Sequence, residues 1–206
     1  LSEKLYILAQ NCPNPLYVVG GAVRDYLSGF GSATADLDLS SPMLVEEFLP
    51  IAKKCGFEPT AVYKNTGTLK LKDDTDENYE YTCFRSDKYI RGVHVPVETF
   101  FTNDILLDAK RRDFTANAVY YDIKNDKFID PLDGITAIQE KRLTTVDLPE
   151  KVFGEDGLRL MRLARQSGQL GFNPDEKTIQ GAKVNAKLIN DISPERIYTE
   201  LELILT

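Results

Sequence analysis

Residues 18–25 read VVGGAVRD, and this octapeptide predicts a strand that turns tightly into a helix. The two valines favour a strand. The glycine pair lets the backbone turn and come close to another group without an intervening side chain. A helix that begins after such a turn presents free N–H groups to phosphate, and Arg24 adds a positive charge beside them. The stretch matches neither the GxGxxG motif of dinucleotide-binding folds nor the P-loop motif of NTPases, so it supports neither fold.

Two carboxylates follow closely in Asp36-Leu37-Asp38. On a strand, residues i and i+2 face the same side, so Asp36 and Asp38 would share an exposed face while Leu37 and Leu39 face the core. Two such charges repel each other unless a cation lies between them, and their oxygens suit Mg²⁺. An isolated pair is usually a solvated strand surface. The neighbouring glycine turn and arginine favour a site for phosphoryl or nucleotidyl transfer.

A third carboxylate, Glu80, lies on a predicted strand over residues 79–84. From a neighbouring strand it could complete a two-metal site or act as a base for an attacking hydroxyl. The alternative is an exposed strand charge without a chemical role.

Two arginine-rich segments are candidate nucleotide contacts. Arg111 and Arg112 precede Asp113, and adjacent arginines can bind phosphate and ribose oxygens in forked geometry, unless they form an ordinary charged helix face. Further along, Asp156 and Arg159 have the i, i+3 spacing of helix neighbours. A carboxylate acceptor beside a guanidinium donor would match the Watson–Crick edges of cytosine and adenine and reject uracil and guanine. An ion pair on an amphipathic helix is the alternative.

The composition limits the classes of function. The chain has 206 residues, a net charge of −7 and one histidine, His94. The charge argues against a broad nucleic-acid-binding surface, and the single histidine leaves the chemistry to carboxylates and arginines. Three widely spaced cysteines indicate a reducing, cytoplasmic environment. No apolar run approaches the ~20 residues of a membrane span, so we expect no membrane partner. No protein partner can be inferred.

Periodicity predicts an α/β (α+β) head of about 135 residues followed by an all-α segment. Residues 86–103 are polar and poorly periodic, which predicts a mobile loop. The predicted strands are 16–19, 36–39, 63–71, 79–84 and 128–129, and the predicted helices are 3–10, 23–27, 44–55, 108–119, 135–142, 154–170, 175–189 and 194–205.

Six short motifs follow one another along the chain: GGAVRD (20–25), DLD (36–38), RRDFTANA (111–118), IDPLDG (129–134), EDGLRLMRLAR (155–165) and SPERIYTEL (193–201). Together, over residues 16–205, they resemble the bacterial class II tRNA nucleotidyltransferase (CCA-adding enzyme)/poly(A) polymerase family. The resemblance implies a polymerase-β-like nucleotidyltransferase head with a small mixed sheet and flanking helices over residues 1–138. It implies an all-α neck over residues 139–206 that recognises the nucleotide base, without the body and tail domains that follow in the family.

The resemblance also implies residue roles. Asp36 and Asp38 would hold two catalytic Mg²⁺ ions, which the sequence does not separate from Mn²⁺, and Glu80 joins them as a catalytic candidate. The implied nucleotide-binding residues are Gly20, Gly21, Arg24, Arg112, Asp113, Asn117, Asp156, Arg159, Arg162 and Arg165. Residues 85–102 match the flexible loop used in the change from C to A addition, and Glu195 and Arg196 match a motif that braces the neck.

The implied activity is template-independent addition of C, A or both to the 3′ end of tRNA from CTP and ATP, with release of pyrophosphate. A poly(A) polymerase and an enzyme that adds only A remain alternatives. From a different class, a non-catalytic nucleotide- or RNA-binding module on the same scaffold also remains open, although such a module does not need two self-repelling carboxylates.

Overall fold

The computed structural model of the chain describes residues 1–30, 37–90 and 93–205. Within them the helices are α1 Glu3–Asn11, α2 Gly21–Ser28, α3 Val45–Lys54, α4 Ile105–Lys110, α5 Gly134–Gln139, α6 Pro149–Glu155, α7 Leu158–Leu170, α8 Glu176–Asn185 and α9 Pro194–Leu205. The strands are β1 Tyr17–Val19, β2 Leu37–Ser41, β3 Glu58–Tyr63, β4 Thr68–Lys72, β5 Asn78–Cys83, β6 Arg85–Ile90, β7 Val93–Phe101, β8 Tyr120–Asp122, β9 Lys127–Ile129, β10 Arg142–Leu143 and β11 Asn173–Pro174.

A mixed sheet of seven strands, in the order β3-β4-β5-β2-β1-β8-β9, forms the framework. The pair β2–β5 is parallel and the other pairs are antiparallel. One face is apolar: Val18, Leu39, Tyr81 and Leu69 lie side by side across it and are buried in the main core with α1, α2 and α3. Because side chains alternate along a strand, Asp38 lies on the opposite face, as its spacing from Leu39 predicts.

The opening stretch forms the predicted strand, turn and helix. β1 ends at Val19, Gly20 turns the chain with φ +84°, and α2 begins at Gly21. Only glycine adopts this backbone region without strain. The local sequence is therefore sufficient to predict this unit.

Two predicted elements are wrong in the first half of the chain. Residues 63–71 are not one strand, because β3 ends at Tyr63 and Gly67, with φ +62°, turns the chain into β4. The predicted loop over 86–103 is wrong for its described residues, 86–90 and 93–101, because β6 and β7 pair antiparallel, with Arg85 opposite Phe101. The sequence of β7 does not show the apolar/polar alternation of a strand, because valines occupy exposed positions whereas His94 is buried.

The predicted helix over 108–119 is also wrong. α4 ends at Lys110, and a 3-10 turn occupies Thr115–Asn117. The backbone between them pairs with a distant segment, since Thr115 N–H donates to the Thr144 carbonyl at 2.9 Å and Val146 N–H to the Asp113 carbonyl at 3.1 Å. A tertiary partner thus overrides the helical periodicity.

In the second half, residues 154–170 form parts of two helices rather than one, because Asp156 is extended (φ −144°, ψ 107°) between α6 and α7. The predicted helical region also contains the two-residue parallel pair β10–β11. α9 begins at Pro194 after Ser193, as predicted. The head–neck boundary at 138/139 stays a prediction. None of the helices in the described ranges is both long and apolar enough to cross a membrane.

Candidate active site

Asp38 stands beside the glycine turn. In the sheet it is opposite Val19 on β1 and Glu80 on β5. A Cβ added at Gly20 would lie 2.8 Å from Asp38 Oδ2, closer than such a contact allows. Gly20 therefore both turns the chain and makes room for the Asp38 carboxylate. The predicted partner Asp36 lies outside the described residues.

Glu80 is on the strand next to Asp38 and faces the same side of the sheet. Its carboxylate is half-exposed and lies 3.8 Å from the Lys70 ammonium. Among residues 1–30, 37–90 and 93–205, no three His, Cys, Asp or Glu side chains group as a metal centre. That range omits Asp36, so the described carboxylates form only part of the predicted set.

Arg24 lies at the start of α2 with its guanidinium against the turn. Its Nε donates to Asp25 at 2.8 Å, and its Nη1 donates to Asn117 Oδ1 at 2.7 Å and Gln166 Oε1 at 3.2 Å. A Cβ at Gly21 would meet Arg24 Nη2 at 3.4 Å. Asp25 and Asn117 therefore orient the cation that the sequence places beside the turn.

A buried polar network connects this arginine to α7. Asn117 Nδ2 donates to Asp113 Oδ1 at 2.9 Å and to Gln166 at 3.0 Å, and Arg162 Nε donates to Asp113 Oδ2 at 2.8 Å. Burial raises the pKa of Asp113, but Arg162 and the donors Asn117 and Phe114 N–H outweigh it and hold that pKa below its usual value. Asp113 is therefore ionised at neutral pH, and its carboxylate orients Arg162.

The charges of three carboxylates act on Arg162. The Asp113 charge raises the pKa of Arg162 most, and the Glu200 and Asp38 charges raise it further. Glu200 on α9 is buried and accepts from Arg165 Nε at 2.8 Å. The structure thus places Arg162 within electrostatic reach of Asp38 and pairs the predicted residue Arg165 with Glu200.

Arg112 has a different environment from the one predicted. It does not form a free fork with Arg111, because both guanidiniums bind the fully buried Asp108, at 3.2 Å from Arg112 and 2.7 Å from Arg111. Burial raises the pKa of Asp108, but these arginines and the Tyr120 hydroxyl lower it to about 2. In this structure Asp108 and Tyr120 hold the Arg112 guanidinium, which lies 5.3 Å from the centre of the Tyr120 ring. Its contact with the nucleotide stays a prediction.

Asp156 and Arg159 are not the ion pair on one helix that their spacing suggests. Asp156 precedes α7, and its Oδ2 accepts from Arg196 Nη2 at 2.6 Å. Arg159 Nη1 donates to Glu155 at 3.0 Å and Nη2 to the Arg111 carbonyl at 2.8 Å. The two side chains come from neighbouring positions but have separate partners.

Gln166 and Glu200 are the residues that sequence reasoning missed. Gln166 follows Arg162 by four positions and so shares its helix face, a signal that could have identified it. Glu200 gives no such signal, because its pairing with Arg165 depends on how α9 packs against α7.

Comparison with known proteins agrees with this architecture. Residues 16–144 match the model of the poly A polymerase head domain, and residues 171–206 match the probable RNA and SrmB-binding site of polymerase A. The chain is 36% identical over 190 residues to the CCA-adding enzyme of Lactococcus lactis subsp. cremoris (strain MG1363), which covers 92% of this chain and 46% of that protein. It thus spans about half the length of the curated relatives it matches.

Two solved structures share the fold. The crystal structure of the Bacillus stearothermophilus CCA-adding enzyme in complex with CTP has a TM-score of 0.85 and 32% identity, and the match covers 100% of this chain and 49% of that one. A tRNA nucleotidyltransferase complexed with a primer tRNA and an incoming ATP analog has a TM-score of 0.75 and 25% identity, covering 97% and 55%.

The fold is therefore that of a polymerase-β-like nucleotidyltransferase head followed by neck helices. More particularly, the chain belongs to the poly A polymerase head domain family.

Proposed function

We propose that this chain is the catalytic and base-recognising part of a tRNA nucleotidyltransferase, which adds C and A to the tRNA 3′ end from CTP and ATP. The observation that carries the proposal is Asp38, held against a glycine turn on the polar face of the sheet and within electrostatic reach of Arg162. The similarity to a CCA-adding enzyme in complex with CTP supports the choice of substrates.

The described residues fit a divalent cation. Asp38 and Glu80 offer hard carboxylate oxygens side by side, and the missing Cβ at Gly20 leaves room at Asp38 Oδ2. We propose that Asp36 and Asp38 hold Mg²⁺, with Glu80 as a further ligand or a base; Mn²⁺ accepts the same ligands. When bound, such ions lower the pKa of the attacking ribose hydroxyl and stabilise charge on the departing pyrophosphate.

The chain's own cations receive the nucleotide. Arg24 is oriented by Asp25 and Asn117, and Arg162 by Asp113, so both guanidiniums are fixed before the triphosphate arrives. Pre-oriented charge costs no reorganisation when negative charge develops. Gly20 and Gly21 leave the backbone accessible at the same place, and Arg165 lies one helical turn beyond Arg162.

We further propose that Asp156 and Arg159 read the base. Both are hydrogen-bonded to protein groups in this structure. Reading a base therefore requires Asp156 and Arg159 to exchange some of these partners for the amino group and ring nitrogen of cytosine or adenine. The three free cysteines are consistent with a reducing compartment, and we propose that this compartment is the cytoplasm.

The test uses the natural full-length protein with Mg²⁺, labelled CTP or ATP, and tRNAs that end before CCA, after C or after CC. Incorporation on all three supports C and A addition. Addition of a single A to the CC-ended tRNA alone indicates an A-adding enzyme, and long A tails indicate a poly(A) polymerase. Nucleotide binding without incorporation on any tRNA, at high protein concentration, contradicts the proposal and favours a binding module.

A further inference from the structure

The β6–β7 hairpin contacts the neck at the residues next to the proposed base-reading pair. His94 on β7 is buried, although the adjacent β7 residues Val93 and Val95 are exposed. Its Nδ1 accepts a hydrogen bond from the Gly157 backbone N–H at 3.2 Å. Gly157 directly follows Asp156, so the imidazole holds the turn that carries the Asp156 carboxylate.

A second contact closes a ring of hydrogen bonds. Arg196 on α9 donates from Nη1 to the His94 carbonyl at 3.0 Å and from Nη2 to Asp156 Oδ2 at 2.6 Å. Asp156 Oδ1 accepts from Leu158 N–H at 3.0 Å at the start of α7. Both carboxylate oxygens are thereby fixed, one by the helix start and the other by a guanidinium that His94 holds.

The turn has little freedom to move away from the hairpin. A Cβ at Gly157 would lie 2.9 Å from the Leu188 carbonyl oxygen, so the Gly157 backbone is packed closely on its other side. The hairpin also contacts the second member of the pair, since the Arg159 guanidinium lies 5.7 Å from the centre of the Tyr89 ring on β6. One hairpin therefore supports both Asp156 and Arg159.

The hydrogen-bond pattern assigns the tautomer of His94. A neutral imidazole that accepts at Nδ1 carries its proton at Nε2. That nitrogen is buried without a hydrogen-bond partner among the described residues, and the Asp191 carboxylate lies 3.8 Å from it. The hydrogen bond that the His94 ring makes is therefore the one that Nδ1 accepts from Gly157 N–H.

We infer that His94 is a positioning residue for nucleotide selection: by accepting from Gly157 N–H, it sets the direction of the Asp156 carboxylate relative to Arg159. This inference rests on the proposed function. It adds that the choice of C and A over U and G depends on an acceptor supplied by the hairpin. His94 itself touches neither nucleotide nor metal in this scheme.

The test compares His94→Leu, which removes the acceptor, with His94→Asn, whose Oδ1 can take the place of Nδ1. In the full-length protein, kcat and KM are measured separately for CTP, ATP, UTP and GTP. We expect His94→Leu to lower the preference for CTP over UTP about tenfold or more, mainly through KM, and His94→Asn to restore most of it. Val95→Ala, an exposed change on the same strand, serves as the control and should keep the preference.

The inference is wrong if His94→Leu keeps the same preference for CTP over UTP as the unmodified protein. It is also wrong if His94→Leu and His94→Asn lose that preference to the same extent. If the unmodified protein incorporates no nucleotide, the proposed function fails instead. If a His94 variant does not fold, the inference can still be tested on the unmodified chain through the tautomer of the His94 ring. Since His94 is the only histidine in this sequence, ¹⁵N NMR of its ring reports the tautomer directly. An Nε2–H ring whose signals shift on CTP addition supports the inference, and an Nδ1–H ring overturns it.

Discussion

Arg162 on α7 donates from Nε to Asp113 Oδ2 at 2.8 Å, across 49 residues of sequence. Asp113 also accepts from Asn117, which in turn accepts from Arg24. One buried carboxylate thus connects the arginine after the glycine turn with the arginine on the long neck helix. The two cations that we propose for the triphosphate are therefore held in a fixed relation before any ligand binds.

The glycine turn offers a matched pair of substitutions. Gly20→Ala and Gly29→Ala both place a Cβ at positive φ, +84° and +75°. Gly29 (ψ 11°) is left-handed helical, where alanine costs about 1–2 kcal/mol, whereas Gly20 (ψ −144°) lies near a region that is essentially glycine-only, where alanine costs about 1–3 kcal/mol. Only the Cβ at position 20 would meet Asp38, since nothing lies within 4 Å of the one at position 29. We expect the larger loss of unfolding free energy in Gly20→Ala, and a loss of nucleotide incorporation in the folded enzyme only in Gly20→Ala. Equal activity in the two variants would contradict the role of Gly20 in making room for Asp38.

Asp38→Asn tests the metal assignment. It removes the charge while keeping the shape of the side chain, so the fold should persist and incorporation should fall below detection at any Mg²⁺ concentration. Asp76→Asn is the control: this exposed carboxylate lies in the turn between β4 and β5 at φ +66°, which asparagine tolerates. Circular dichroism checks the fold, and incorporation of labelled CTP is the readout. A fully active Asp38→Asn enzyme would remove Asp38 from the site.

Stability should fall in acid because of Asp108. The pKa of this buried carboxyl is lowered in the folded chain from 3.8 to about 2. A group with a lowered folded pKa stabilises the fold above its unfolded pKa and loses that contribution as the pH falls towards the folded value. We expect Asp108 to contribute about 2 kcal/mol that is lost between about pH 5 and pH 1.

Urea unfolding at several pH values measures this dependence. Asp108→Asn should flatten the acid slope. Tyr120→Phe, which removes the hydroxyl that donates to Asp108 at 2.7 Å, should give an intermediate slope. An unchanged slope in Asp108→Asn would show that other carboxylates dominate acid unfolding.

Glu200→Gln tests the role of the Glu200 carboxylate, which lies beside Arg162 and Arg165. Glu200 is buried and accepts from Arg165 at 2.8 Å, with Arg162 Nη1 at 3.7 Å from its other oxygen. Loss of its charge should cost about 1–3 kcal/mol of unfolding free energy and raise KM for CTP and ATP, because both arginines lose a fixed partner. Glu195→Gln, exposed in the first turn of the same helix, should leave KM unchanged. A Glu200→Gln enzyme with the original KM would limit Glu200 to a structural role.

The sequence by itself determined the features that depend on neighbouring residues. The strand, glycine turn and helix around Gly20 follow from local backbone preferences, and the alternation of Asp38 with Leu39 places the carboxylate on the polar face of the sheet. The Ser193-Pro194 start of α9 is likewise local. The membership of the family could be predicted because its motifs are themselves short stretches with fixed spacing.

Only the tertiary structure decided the partners of the charged residues. Asp156 is bound to Arg196 rather than Arg159, and Arg112 to a buried Asp108. The hairpin that holds His94 against Gly157 replaces a predicted loop. The physical reason is the same in each case: a buried charge requires a partner that satisfies it, and which partner lies within reach depends on how distant elements pack.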